Sequence, residues 1–220
     1  MLNDFLRLHP GTRALPEHAV KGFLGQCGLP VPPGVFIPCG APLPDLSPLN
    51  CPLIAKVSAS QICSTSDVGG LRFGLADSNA VRAAIAELLE IEQAEGVLVE
   101  ELAAPGVEVI VGGITDPQFG PVVMFGLGGV FVELFHDVAF APAPMTREDA
   151  FKLVSRVTAY RLLTGYRGKP PCDLDSLADI LVIISELMAT GLLEEIDLNP
   201  VTVYPRGALI LDAKMLVAES

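Results

Sequence analysis

Apolar positions along this chain alternate between two spacings. Val20, Phe23, Leu24 and Cys27 follow i, i+3, i+4, i+7 and predict a helix over 16–27, opened by Pro16 and stopped by Gly28. The same period returns in Val81, Ile85 and Leu88, predicting a helix from a Ser78 cap to about Gln93. It returns again in Ala150, Leu153, Val154 and Val157 behind a Thr146/Asp149 start signal, and in Leu177, Ile180, Leu181, Ile184 and Met188, closed near Gly191. Between these lie short apolar or alternating runs that predict strands over 35–37, 52–57, 71–75, 96–102, 107–112, 137–140, 194–204 and 208–211. Over 116–133 a polar turn leads into a short apolar strand, a glycine-rich reversal, and a second apolar strand ending on Glu133. Proline-rich 39–51 and small, polar 60–70 are expected loops. The predicted class is α+β, with helices on largely antiparallel sheets, no internal repeat and no long linker.

Composition narrows the class of function. Half the residues are hydrophobic and 18% charged, as expected of a folded chain. With 14 basic against 26 acidic residues the net charge is −12, which argues against a nucleic-acid binder. A single nucleotide site remains compatible, because one lysine, backbone amides and a metal suffice for a triphosphate. The longest apolar run, 177–193, is broken by Asp179, Ser185, Glu186 and Thr190, so no membrane span is expected. Nothing at the N-terminus reads as a secretory signal, and a cytoplasmic location is expected. Cys27, Cys39, Cys51, Cys63 and Cys172 contain no Cys-x-x-Cys pair and are expected to be reduced, mostly buried thiols.

Three features could carry chemistry. Lys56 lies within an apolar strand: either it points to water from an edge, or it is buried against an anion that offsets the cost of desolvation. Ser64-Thr65-Ser66-Asp67-Val68-Gly69-Gly70 follows, where glycines would let successive N–H groups converge on a phosphate. In Glu195-Ile196-Asp197-Leu198-Asn199-Pro200, strand alternation puts Glu195, Asp197 and Asn199 on one face, a hard-oxygen surface suited to Mg2+. Asp212, at the end of the next strand, could reach the same ion.

These landmarks, together with Gly28-Leu29-Pro30-Val31-Pro32, Glu108-Val109-Ile110-Val111-Gly112, the 116–133 stretch with Asp137, Gly165-Tyr166-Arg167-Gly168 and Leu211-Asp212-Ala213, span nearly the whole chain. In that succession the sequence resembles the ATP-grasp (beta) subunit of ADP-forming acyl-CoA synthetases, within the succinyl-CoA synthetase-like superfamily. The resemblance implies an ATP-grasp fold of two α+β lobes, here 13–98 and 99–220, clasping ATP or ADP with Mg2+. It implies conversion of acyl-CoA, ADP and phosphate to free acid, CoA and ATP, in a hetero-oligomer with a CoA-binding alpha-type subunit through which the acyl-CoA or carboxylic acid is reached. By position Lys56 would hold phosphates, Gly69 and Gly70 would fold over them, and Val99, Glu100, Glu101 and Leu102 would line the adenine. Glu108 would approach the ribose, and Asn199 and Asp212 would bind Mg2+.

The sequence departs from that family where phosphoryl relay is expected. The family's His-Lys pair is replaced by Ser64 and Thr65, and two of its arginines by Thr115 and Ala141. Serine does not relay a phosphoryl group without a strong base beside it. The reading is therefore an acid–CoA ligase subunit that depends on its partner. The alternative is a catalytically degenerate ATP-grasp module with a structural or nucleotide-sensing role.

Overall fold

The computed structural model describes residues 1–60, 68–129 and 136–219. The chain opens with α1 (Leu2–Arg7), β1 (Ala14–Leu15) and α2 (Glu17–Gln26). It continues through β2 (Gly34–Pro38), β3 (Leu53–Ser58), β4 (Leu71–Leu75), α3 (Ser78–Leu89) and β5 (Gly96–Glu101). Next come β6 (Val107–Asp116), β7 (Gly120–Leu127), β8 (Val138–Pro142), α4 (Arg147–Val154) and a 3-10 turn, Thr158–Leu162. It ends with α5 (Leu174–Ala189), β9 (Leu193–Val203), β10 (Ala208–Ile210) and β11 (Lys214–Val217).

Two sheets form, and every strand pairing described in them is antiparallel. The smaller runs β2-β5-β3-β4 and packs one face on α3, through Ile37, Leu53, Ala55, Val81, Leu88, Val97 and Val99. The larger runs β1-β11-β9-β6-β7-β8, with β10 paired to β9. One of its faces is filled by Leu153 of α4 and by Leu177, Ile180 and Ile184 of α5. Val20, Phe23 and Leu24 of α2 belong to that same core.

The division between lobes differs from the expected one at 98/99. α2 turns its apolar stripe into the larger core, and β1 hydrogen-bonds to β11, so the N-terminal segment packs with the second sheet. β5 pairs with β2 and β3 to its last residues, so 99–101 stay in the smaller sheet. The smaller lobe is thus an insertion, roughly residues 34–101, between a helix and the sheet on which that helix packs.

Local signals explain the remaining element ends. Asp77, not Ser78, caps α3: its Oδ1 accepts the N–H groups of Asn79 and Ala80, both at 2.9 Å, and the helix stops at Leu89. Thr146 and Asp149 form the capping box of α4. β6 and β7 make a longer hairpin than expected, closed by Asp116 Oδ1, which accepts from Gln118 N at 2.7 Å and Phe119 N at 2.9 Å. Gly120 leaves the turn at φ +72°, a conformation that disfavours side chains. The second strand expected there, with Glu133, lies outside the described residues, as do Ser64, Thr65 and Cys63. The thiols correct their expectation: Cys39 and Cys51 are exposed at the two ends of the proline-rich loop, and Cys27 and Cys172 are only half-buried. The loop turns Leu43, Leu46 and Leu49 onto the smaller core and leaves the thiols at its two ends outside it.

Asp137, a landmark of the family pattern, has a structural task. Its carboxylate accepts Thr158 N at 2.7 Å and Ala159 N at 2.8 Å, anchoring the 3-10 turn to the start of β8. Asp137→Ala is expected to lower the unfolding free energy by about 1 kcal/mol, the usual value of such a cap. Urea denaturation measures this, and an unchanged midpoint would contradict it.

Candidate functional site

A cleft of about 490 Å³ opens between the two sheets. Ile54 and Lys56 of β3 and Leu71 and Phe73 of β4 form one wall; the strand-to-strand passage from Glu100 to Gly106 forms its back. Glu108, Asn199, Thr202, Leu211 and Asp212 form the other wall. Seven expected site residues therefore share one cleft: Lys56, Glu100, Glu101, Leu102, Glu108, Asn199 and Asp212.

Lys56 is 5% exposed and sits on an interior strand, so the buried alternative holds and the edge-lysine one does not. Its Nζ donates to Glu17 Oε1 at 2.7 Å and to the Leu211 carbonyl, and lies 3.3 Å from Glu100 Oε2. Beside it Lys21 Nζ donates to both Glu100 oxygens at 2.7 Å and to the Leu211 carbonyl at 2.7 Å, and lies 3.0 Å from Glu17 Oε1. Two ammonium groups thus share two carboxylates and one carbonyl, all buried. For Lys56 and Glu17 burial opposes the charge, and the opposite charges outweigh it. The Lys56 ammonium is held well above its ordinary value by Glu17, Glu100 and Asp212, and the Glu17 carboxyl below its own by Lys56 and Lys21.

Asp212 follows the carbonyl that both lysines grip. Burial, and then the Glu17 charge, push its carboxyl up to about 6, against the pull of Lys56, Lys21 and Lys214. Asn199 stands beside it: its N–H donates to the Asp212 carbonyl at 3.3 Å, and both side chains line the cleft.

Other expected residues fall elsewhere. Val99 is fully buried in the core between the smaller sheet and α3, so its side chain faces away from the cleft. Gly69 and Gly70 pack beside β4: the Gly70 carbonyl accepts Val57 N at 2.9 Å, and the Gly69 carbonyl accepts Arg72 Nη1 at 2.8 Å. Glu195 and Asp197 do share a face of β9, with Ile196 and Leu198 buried behind, yet neither lines the cleft. Asp197 pairs in register with Lys214, and burial raises its carboxyl above the ordinary range. Among the described residues no three His, Cys, Asp or Glu side chains are arranged to hold a metal.

Glu17 and Lys21, which pair with Lys56 and Glu100 behind the cleft, are residues that sequence periodicity does not single out. The available signal is that Lys21 falls one turn before Leu24 on an apolar stripe, with a carboxylate at i−4.

The residues present fit a nucleotide with a divalent cation. Ile54, Leu71, Phe73 and Leu102 offer an apolar slot, and Lys56 a positive charge at its end. Asp212 is a half-buried carboxyl with the Asn199 amide at hand, which is the donor chemistry Mg2+ accepts.

A family model described as the ATP-grasp domain matches residues 7–217. The beta subunit of an ADP-forming acetate–CoA ligase I from Pyrococcus furiosus is 36% identical over 215 residues, covering 94% of this chain and 93% of that subunit. ADP-forming acetate–CoA ligase II from Archaeoglobus fulgidus is 38% identical over 206 residues, covering 93% of this chain but 30% of that longer protein. The chain therefore spans about a third of the long ligases it matches and almost all of the separate beta subunit. Acetyl-coenzyme A synthetase 1 of Ca. Korarchaeum cryptofilum, solved with coenzyme A and Ca-AMPCP, superposes with a TM-score of 0.90 at 37% identity, covering 99% of this chain and 100% of that one. Fold, cleft and sequence agree: the chain belongs to the ATP-grasp family, in the branch formed by the beta subunits and ATP-grasp domains of ADP-forming acyl-CoA synthetases.

Proposed function

We propose that this chain is the ATP-binding subunit of an ADP-forming acyl-CoA synthetase, which turns acyl-CoA, ADP and phosphate into free acid, CoA and ATP. It works in the cytoplasm with a CoA-binding alpha-type partner that supplies the acyl-CoA and ligase chemistry. One observation carries the reading: Lys56 donates to the carbonyl of Leu211, the residue before Asp212, so cation and metal-type ligands from opposite lobes meet at one end of one cleft.

In that reading Lys56 binds phosphoryl oxygens, and Asn199 and Asp212 hold Mg2+. Glu108 meets the ribose, and the passage 100–102 borders the base. Bound Mg2+ supplies charge neutralisation for phosphoryl transfer, and the chain's own contribution is placement. Gly69 and Gly70, at the smaller lobe's edge, are assigned to the phosphate side. Coexpression with a CoA-binding partner and an assay of acyl-CoA-dependent ATP formation test the proposal. ATP formation above either subunit alone is expected; absence of turnover together with absence of nucleotide binding would end it.

Ser64 and Thr65 favour a second reading, a nucleotide-binding module without phosphoryl relay. The variant Ser64→His/Thr65→Lys separates the two. If relay chemistry has been lost from an intact frame, turnover rises by about 100-fold or more over the parent complex, the order typical of restoring one catalytic group. If the parent complex already turns over robustly and the variant adds nothing, the module reading falls.

A further inference from the structure

The buried charges around Lys56 present a difficulty for phosphate binding that Lys21 resolves. Lys56 borders the cleft, but its ammonium is shared with Glu17, Glu100 and the Leu211 carbonyl. To meet a phosphoryl oxygen it must loosen its hold on two buried carboxylates. Those carboxylates attract it electrostatically and repel the incoming anion. Lys21 does not border the cleft, and its three N–H groups are taken up by the two Glu100 oxygens and Leu211 O, with Glu17 Oε1 3.0 Å away.

We infer that Lys21 is a positioning residue, a resident counter-ion that keeps Glu17 and Glu100 neutralised so that Lys56 can turn to the nucleotide phosphates. The inference rests on the nucleotide-binding reading above. When Lys56 engages a phosphate, Lys21 is left between two carboxylates, and the residual charge is one negative. Without Lys21 the same movement would leave two negative charges buried side by side, so Lys56 would stay where it is. Two features fit this role. Lys21 grips Glu100 with both carboxylate oxygens at 2.7 Å, whereas Lys56 stands 3.3 Å off, so Glu100 is already held by the lysine that stays. Glu17 and Lys21 come from α2, packed in the larger core, whereas Glu100 and Lys56 come from the smaller sheet, so Lys21 also fixes the register between the two walls.

Charge arithmetic supplies the test. Lys21→Met leaves two carboxylates for one departing lysine; Lys21→Met/Glu100→Gln leaves one and restores the parent's residual charge. Affinity for Mg-ATP is measured calorimetrically on the full chain, with thermal melting of each nucleotide-free variant measured alongside. Lys21→Met is expected to weaken binding by about tenfold or more, the effect of truncating one partner of a buried charge pair. The double variant is expected to bind within about threefold of the parent, whose residual charge it shares. In the reconstituted complex the KM for ADP rises in step while that for acyl-CoA stays, which a general loss of structure would not produce. Wild-type affinity in Lys21→Met overturns the inference, and so does a tenfold loss from the parent to the double variant. That second comparison also decides the matter if Lys21→Met alone does not fold. Parent protein that binds no nucleotide ends both this inference and the functional reading; parent that binds with Lys21→Met unaffected ends only this one.

Discussion

Lys56→Met is expected to lower the unfolding free energy by about 3–5 kcal/mol, the usual cost of breaking a buried ion pair by removing one partner. It should also weaken nucleotide binding about 100-fold, the effect of losing a charge-assisted hydrogen bond to phosphate. The first effect follows from what surrounds the ammonium. Among the described residues Glu17 would keep Lys21 alone, which already serves Glu100 and the Leu211 carbonyl, so one buried negative charge would stand unmatched. Methionine nearly conserves volume, so a cavity does not account for the loss. Urea denaturation with calorimetric titration of Mg-ATP checks both. Lys56→Met/Glu17→Gln, which removes the charges together, should recover much of the stability and none of the affinity. A double variant as unstable as the single one would show that charge was not the cause.

The surroundings of Lys56 explain why part of the candidate site was legible in the sequence and part was not. A lysine inside Leu53-Ile54-Ala55-Lys56-Val57 stands out because strand burial makes it costly, and Asn199 and Asp212 stand out because a polar face interrupts apolar strands. Glu17 and Lys21 do not stand out, because an i, i+4 charge pair on a helix has the form of ordinary surface decoration. Only the placement of the smaller lobe over α2 buries them. The same placement hid the lobe boundary: α2 precedes the smaller lobe in sequence but packs with the larger, a long-range contact that periodicity does not encode. Glu195 and Asp197 show the limit of the alternation rule. They face as expected, but the register slips between Val109 and Val111, opposite the passage from Leu198 to Val201, and β9 lines the cleft only from within that slip onward, at Asn199, Pro200 and Thr202. Family resemblance supplied what local physics could not, the joint meaning of landmarks far apart in the chain. Asp116 and Asp137 also show that a landmark can mark the fold and not the chemistry: one closes a hairpin and the other caps a 3-10 turn.

Asp212→Asn is expected to stabilise the nucleotide-free protein at pH 8 by about 3 kcal/mol while removing the Mg2+ dependence of nucleotide affinity. The sign follows from the direction of the shift. The folded-state carboxyl is pushed from the ordinary 3.8 up to about 6, first by burial and then by Glu17, so the folded protein holds its proton where the unfolded chain has released it. Stability from this group therefore falls as pH rises between those values, at about 1.4 kcal/mol per pH unit, and stays low above the upper one. Asparagine keeps the shape and cannot ionise, so the gap between variant and parent should be near zero at pH 4 and fully open at pH 8. The measurement is urea denaturation at both pH values, with a chelator to exclude divalent cations. A gap independent of pH would refute the electrostatic account, and a variant less stable than its parent at pH 8 would reverse it. Adding Mg2+ with nucleotide should then stabilise the parent by mass action and the variant far less. The cost in stability of keeping this carboxyl ionised without a cation is what the substitution should reveal.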